Sequence, residues 1–446
     1  MPAARARRST PAADARPPRA RRRAGAQAQP LEQRMLLTAA LCLLAFGAVM
    51  VYSASSATSL LRGHGNGSSF LIRYLVYGAI GLVVMRVLAR DGMALVARFT
   101  GPLLATSIVL VLAVHVPHVG VSVNGARRWL GAGPLQFEPS ELLKLALVLY
   151  AATLLAKRPQ RVHDMRALLR PLLYVIAGAT LLVALEPDIG SAMVIGFVTV
   201  AMLVAAGIER RNLAIIVGTT LGLVALYALA RPYARARLTS FVNPWAHAAG
   251  SGFQAVQGQI AIGSGGLFGV GPGQSVQKIF YLPEAPTDFI LAVIAEELGV
   301  VGVCALLFLY GVIAHAGLRA ARTARSLHSA LVAVGLTTLV VSQAMLNVFS
   351  VLGLAPLTGV PLPFVSYGSS SLVVMLAAMG LLMNVAAGGS AHVRAVPARA
   401  SRRADGRGRE VGRSHREHAG EERGDRGGRD GGARRAGTRR RAGAAG

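Results

Sequence analysis

Polar residues are sparse through the middle of this chain and recur at intervals close to one membrane thickness. Between them lie ten predominantly apolar stretches, at 35–54, 70–88, 101–118, 139–156, 170–186, 189–207, 212–230, 288–316, 329–353 and 365–387. A helix needs about 20 such residues to cross the hydrocarbon core of a bilayer, so the pattern predicts an all-α integral membrane protein with ten transmembrane helices. An even number of crossings puts both ends of the chain on one side. The longest interruption, residues 231–287, predicts a large outer loop between helices seven and eight. Its Phe253, Ile260, Ile262, Leu267, Phe268, Phe280, Tyr281 and Leu282 make it too apolar for disorder, so it is expected to pack on the outer membrane face or dip into it. The first apolar run follows a basic segment, as a signal peptide would, but further spans come after it and it is read as a retained helix.

Charge gives this pattern a direction. The chain carries a net +27 although 53% of it is hydrophobic and only 15% is charged, against about 25% charged in soluble domains. Residues 1–34 hold nine Arg against two acids, and residues 388–446 hold sixteen Arg against seven. These segments are rich in Ala, Gly and Pro and cannot bury a core, so they are expected to be disordered basic cytoplasmic tails flanking a membrane domain at 35–387. With the N-terminus inside, inner loops carry thirteen Lys or Arg and the much longer outer segments carry eight, which agrees with the positive-inside rule. Tails of this kind favour anionic membrane lipid over nucleic acid as a partner. Cys42 and Cys304 both lie inside apolar runs and imply neither a disulfide framework nor a cysteine metal site.

Ionisable groups in or beside membrane spans are functional candidates by default. Glu141 and Lys144 are three residues apart on one helix and can pair; either they form an internal ion pair or Lys144 meets an anionic substrate. Arg127 and Arg128 stand before the interfacial Trp129, as lipid anchors or as substrate contacts. Asp188, after Glu186-Pro187, can cap the next helix. Pro283 and Pro286 fix the entry to the eighth span and Thr287 can cap it, which leaves Asp288 for another role. Glu284, one turn earlier, would raise the Asp288 pKa toward that of a base useful near neutral pH. The glycine-rich run from Gly258 to Gly273, which includes Gly265 and Gly266, lacks the ending of a nucleotide loop and follows no βαβ strand. It is read as a re-entrant loop whose backbone approaches a ligand closely. A similar device is expected around Pro361 and Pro363 and the following Ser366, Tyr367 and Gly368.

These motifs resemble, in order, those of the SEDS (shape, elongation, division and sporulation) family. They are NGARRWL at 124–130, EPSELLKLALVLY at 138–150, EPDIGSA at 186–192, GSGGLFGVGPGQSVQKIFYLPEAPTDFILAVIAEELGVVG at 263–302 and NVFSVLGLAPLTGVPLPFVSYGSSSL at 347–372. QKIFYLPEA looks more like the division branch of the family than the elongation branch. The resemblance implies a peptidoglycan glycosyltransferase that polymerises lipid II at the outer face of the bacterial cytoplasmic membrane, at the division septum. Its essential acid falls on Asp288, its Glu/Lys pair on Glu141 and Lys144, and its Arg-Trp motif on Arg128 and Trp129. The family implies as partners a class B penicillin-binding protein and other divisome membrane proteins. Where the family usually has His, Gly, Gln and Gln, this chain has Pro286, Ser369, Glu138 and Glu186.

The residues suit that chemistry. Asp288 would take the proton of the acceptor hydroxyl. Lys144, Arg127, Arg128, Lys278 and Arg235 are the candidate cations for the leaving pyrophosphate. No organic cofactor is implied, and a divalent cation, magnesium or manganese, could bridge the pyrophosphate. A lipid II flippase, an elongation or sporulation paralogue, and a non-catalytic scaffold are the competing readings.

Overall fold

The computed structural model describes residues 30–61, 67–123, 126–132, 135–159, 169–230 and 232–389. The Arg-rich tails, apart from residues 30–34 and 388–389, lie outside them. Helices α1 (Leu31–Leu61), α2 (Ser69–Val114), α3 (Pro139–Lys157), α4 (Tyr174–Leu185), α5 (Ile189–Ala205) and α6 (Arg210–Ala230) come first. Two shorter ones follow, α7 (Pro232–Val242) and α8 (Phe253–Gly265). Then come α9 (Ile290–Arg322), α10 (Leu327–Val351) and α11 (Ser369–Ala386). Each of the ten apolar stretches is helical over most of its length. Six helices among the described residues, α1, α2, α3, α9, α10 and α11, are long and apolar enough to cross a membrane. Helices α3, α10 and α11 bury most of their side chains. Val83, Leu181, Leu223 and Phe308, on peripheral helices, are exposed, as apolar groups facing lipid would be.

Two predicted spans merge in α2. Straight, its 46 residues would measure about 69 Å, yet both its ends lie near the start of α11. The Tyr74 hydroxyl donates to the Phe364 carbonyl just before α11, and a Cβ on Gly120 would strike the Val114 carbonyl. Gly120 belongs to a sheet fastened to α11 by Ser369 Oγ donating to the Gln136 carbonyl at 2.6 Å. The run therefore folds back in its middle. There Asn384 Nδ2 donates to the Ala89 and Arg90 carbonyls at 2.9 and 2.8 Å, and Gly92 lets Leu381 pack closely.

The all-α expectation needs one correction. Residues 119–138 contain an antiparallel sheet, β1 (Gly120–Val123), β2 (Ala126–Ala132) and β3 (Leu135–Phe137), in which Val121 pairs with Trp129 and Leu130 with Phe137. Asn124-Gly125, between β1 and β2, is the dipeptide that favours tight hairpins. The expected outer loop 231–287 is also largely structured, holding α7, a 3₁₀ turn at Trp245–His247 and α8.

Helix α8 runs beside α9, with Gly258 against the Phe289 ring and Gly265 against the Ala295 carbonyl. At Gly299, where φ is +67°, α9 breaks. The groups freed by the break pair with the segment after α8. Val270 and Gly271 N–H donate to the Glu296 and Glu297 carbonyls at 2.9 and 3.1 Å, and Val300 and Val301 N–H donate to the Gly266 and Leu267 carbonyls at 3.1 and 3.2 Å. A Cβ at Gly265, Gly269 or Gly299 would collide with this backbone. The glycine run, expected as a loop approaching a ligand, begins inside α8, and its glycines pack instead against a broken helix. That pairing is what lets irregular backbone stand beside membrane helices.

Candidate functional site

Strand alternation sorts the two arginines of β2. Arg127 is exposed and Arg128 is buried. Arg128 Nε donates to the Glu186 carbonyl at 3.0 Å and Nη2 to the Pro187 carbonyl. Its Nη1 stands 3.9 Å from Asp188 Oδ1. Asp188 caps α5 as expected, accepting from Ser191 N–H at 3.1 Å. Trp129, the next residue on β2, is half-buried.

Opposite this arginine stands Asp288, two residues before α9. The two approach each other across Gly359, in the irregular segment between α10 and α11. A Cβ placed on Gly359 would lie 3.8 Å from Asp288 Oδ2 and 4.0 Å from Arg128 Nη1, and its φ of +70° disfavours other residues. Asn347 of α10 holds both sides of the gap, with Nδ2 donating to the Asp288 carbonyl at 2.7 Å and the Val360 carbonyl at 2.8 Å. The Tyr367 N–H adds a bond to the Pro286 carbonyl at 2.9 Å.

Thr287 does not cap α9, contrary to expectation. The helix starts later, after Phe289, with no side-chain cap. The Thr287 hydroxyl lies instead 3.1 Å from Asp288 Oδ1 and 3.0 Å from the Glu284 carbonyl. Glu284 is exposed and has a φ of +55°. Burial, then the charge of Glu284, raises the Asp288 pKa to about 6. The hydrogen bond from Thr287 and the charge of Arg237 oppose that rise. Arg237 lies on α7, with Nη1 donating to the Leu357 carbonyl at 2.6 Å. Arg235, one of the five candidate cations, is two residues away and exposed.

The Glu141–Lys144 pair forms, at 2.9 Å, and is fully buried beneath the sheet. Lys144 Nζ also donates to Gln343 Oε1 at 3.1 Å. Lys278 is engaged elsewhere. Its buried ammonium pairs with Glu297 at 2.7 Å and donates to Ser53 Oγ and the Gly273 carbonyl at 3.1 and 2.8 Å. Pro283 accepts from Gln254 Nε2 at 3.3 Å. Ser366 Oγ closes its own turn by accepting from the Leu362 N–H at 2.8 Å, and Gly368 precedes α11. Among the described residues no group of three His, Cys, Asp or Glu side chains is arranged to hold a metal ion.

Asn347, Gly359 and Arg237 had no role assigned from the sequence. A buried Asn within an apolar helix is the one signal that could have flagged Asn347.

Fold and site define a multi-pass membrane protein with an acid and an arginine facing each other at one end of the helix bundle. The profile of the Cell cycle protein family, which takes in FtsW, RodA and SpoVE, matches residues 33–390, and the chain belongs to that family. It is 42% identical over 374 residues to the probable peptidoglycan glycosyltransferase FtsW of Thioalkalivibrio sulfidiphilus, covering 82% of this chain and 93% of that one. It is 38% identical over 356 residues to stage V sporulation protein E of Bacillus subtilis, covering 79% and 96%. A solved chain from work on the structural coordination of polymerization and crosslinking by a peptidoglycan synthase complex superposes with a TM-score of 0.66 at 30% identity, covering 79% and 96%. The crystal structure of the Thermus thermophilus rod shape determining protein RodA superposes with a TM-score of 0.55 at 31% identity, covering 79% and 95%.

Proposed function

We propose that this protein is a peptidoglycan glycosyltransferase that polymerises lipid II at the outer face of the bacterial cytoplasmic membrane during division. The carrying observation is that Asp288 and Arg128 face each other across Gly359. Asp288 accepts the proton of the acceptor sugar's 4-hydroxyl as that oxygen bonds to the donor's anomeric carbon. The bond from that carbon to the pyrophosphate oxygen breaks, the configuration inverts, and polyprenyl pyrophosphate leaves with the bonding electrons. A base with a pKa near 6 is ionised at neutral pH yet more basic than an ordinary aspartate. Arg128, already oriented by two backbone carbonyls, supplies positive charge where the leaving group gains negative charge. A magnesium or manganese ion bound to the pyrophosphate would add to that charge.

The naming of FtsW relatives at about 40% identity supports the polymerase reading and its division role. Ten crossings with both termini cytoplasmic are supported by the ten helical stretches, the folded-back α2 and the arginine distribution. That orientation places the site outside, where the sugars of lipid II are in water and its tail is in lipid. Likeness to a peptidoglycan synthase complex supports a class B penicillin-binding protein as partner, alongside other divisome proteins.

The test supplies purified full-chain protein, with and without that transpeptidase, with lipid II in vesicles. Glycan ladders on gels are the expected product. Transfer of labelled lipid II between leaflets without any ladder would replace the polymerase reading with a flippase.

A further inference from the structure

Two carboxylates beside the site, Glu138 and Glu186, take no part in the reaction above. Glu138 is the residue before α3. Its N–H donates to Ser370 Oγ at 3.0 Å and its Oε1 accepts from Ser140 Oγ at 3.2 Å. Glu186 ends α4 and is 1% exposed, and among the described residues neither of its carboxylate oxygens accepts a hydrogen bond. It is the Glu186 backbone carbonyl, and not its carboxylate, that receives Arg128 Nε.

The charged groups facing this pair come from three elements: Arg128 from β2, Glu141 and Lys144 from α3, and Asp188 from the start of α5. Lys144 already balances Glu141 at 2.9 Å. Helices α10 and α11 contribute only the uncharged Gln343 and Ser370 nearby. Arg128 thus faces three carboxylates, of which only Asp188 comes within ion-pair distance of it, at 3.9 Å, and Lys144 is the second cation near Glu138. A buried carboxylate with no donor is costly to ionise, and neighbouring carboxylates answer that cost by holding a proton between them. A protonated Glu also offers a donor much where a glutamine would.

We propose that Glu138 and Glu186 hold a proton in the working enzyme as positioning residues for Arg128, and that losing it weakens binding of the phosphate-bearing donor. The proposal rests on the reading that the donor's pyrophosphate binds beside Arg128. Burial first, then the charges of Asp188 and Glu138, raise the Glu186 pKa to about 8 against the pull of Arg128. Glu138 is raised by burial and by the charges of Asp188 and Glu141, against the pull of Lys144 and Arg128. Above that pH the added negative charge both competes for Arg128 and repels an incoming diphosphate, so the donor KM rises with pH.

The test uses full-chain protein with its transpeptidase in lipid nanodiscs, comparing wild type with Glu186→Gln, Glu138→Gln and the double variant. Wild-type KM for lipid II is expected to rise on the order of tenfold from about pH 7 to about pH 9, with kcat steady. The double variant should keep a flat KM and near-wild-type turnover at neutral pH. A flat wild-type KM, or an unchanged rise in the double variant, overturns the proposal. Infrared difference spectra over the same pH range give a readout without turnover: the C=O stretch of a protonated carboxyl should vanish in wild type and show no such change in the double variant. If that band titrates but no glycan forms at any pH, the polymerase reading has failed and the proton-holding pair stands. If added Mg2+ or Mn2+ lowers the KM of wild type but not of the double variant, the pair holds a metal ion and the proposal fails.

Discussion

Two sets of buried charge flank the first half of α9, and they differ in how fully they are satisfied. In the deeper set, by the break at Gly299, Glu296 accepts from Ser275 Oγ and from the Val276 and Gln277 N–H groups. There Glu297 accepts from Lys278 and Ser53, so every carboxylate oxygen has a donor. At the Asp288 end, both carboxylate oxygens of Glu186 and Oε2 of Glu141 have no partner among the described residues. Saturated charge fixes the segment after α8 against α9 and α1. Unsaturated charge leaves capacity for a substrate or a proton.

The sharpest way to break this contrast is to damage each set in turn. Lys278→Met strands a buried Glu297 and should cost about 3–5 kcal/mol of stability, read as a lowered Tm in detergent. Lys278→Met combined with Glu297→Leu should recover most of it, with turnover per folded molecule unchanged. Arg128→Ala should lower kcat/KM per folded molecule on the order of a hundredfold, in addition to the stability lost with its two backbone carbonyl bonds and its contact with Asp188. Arg127→Ala, at an exposed position, should change kcat/KM by no more than about twofold.

The hydropathy pattern made the helices and the membrane class legible, because burial in lipid leaves few polar residues to confuse it. It could not reveal the fold-back of α2, since both legs are helical and Asn384, which binds at the bend, is distant in sequence. The sheet was missed because its strands are only four, seven and three residues long. Missing it also left Arg127 and Arg128 equivalent, when strand alternation separates them. The Asp188 cap and the Glu141–Lys144 pair were legible because each acts with near neighbours in sequence or on one helix turn. The partners of Lys278, Ser53 and Glu297, were not legible because they come from other elements. Gly359 and Arg237 gave no local signal at all.

Smaller changes sharpen the account of the gap itself. Gly359→Ala puts a methyl between Asp288 and Arg128 and imposes a strained φ, so kcat/KM should fall about tenfold while Tm drops by about 1 kcal/mol equivalent. Glu284→Gln removes the neighbouring charge that raises Asp288. The acid limb of the rate profile, in which activity rises through about pH 6 as Asp288 ionises, should move to lower pH with little change at neutral pH.

The most direct measurement compares wild type and Asp288→Asn in a lipid II polymerisation assay, with rates normalised to folded protein and lipid II binding measured in parallel. Removing the base while keeping its shape should lower the rate by about 10²–10⁴-fold and leave binding within a few fold. Glycan growth at the wild-type rate in Asp288→Asn would contradict the account.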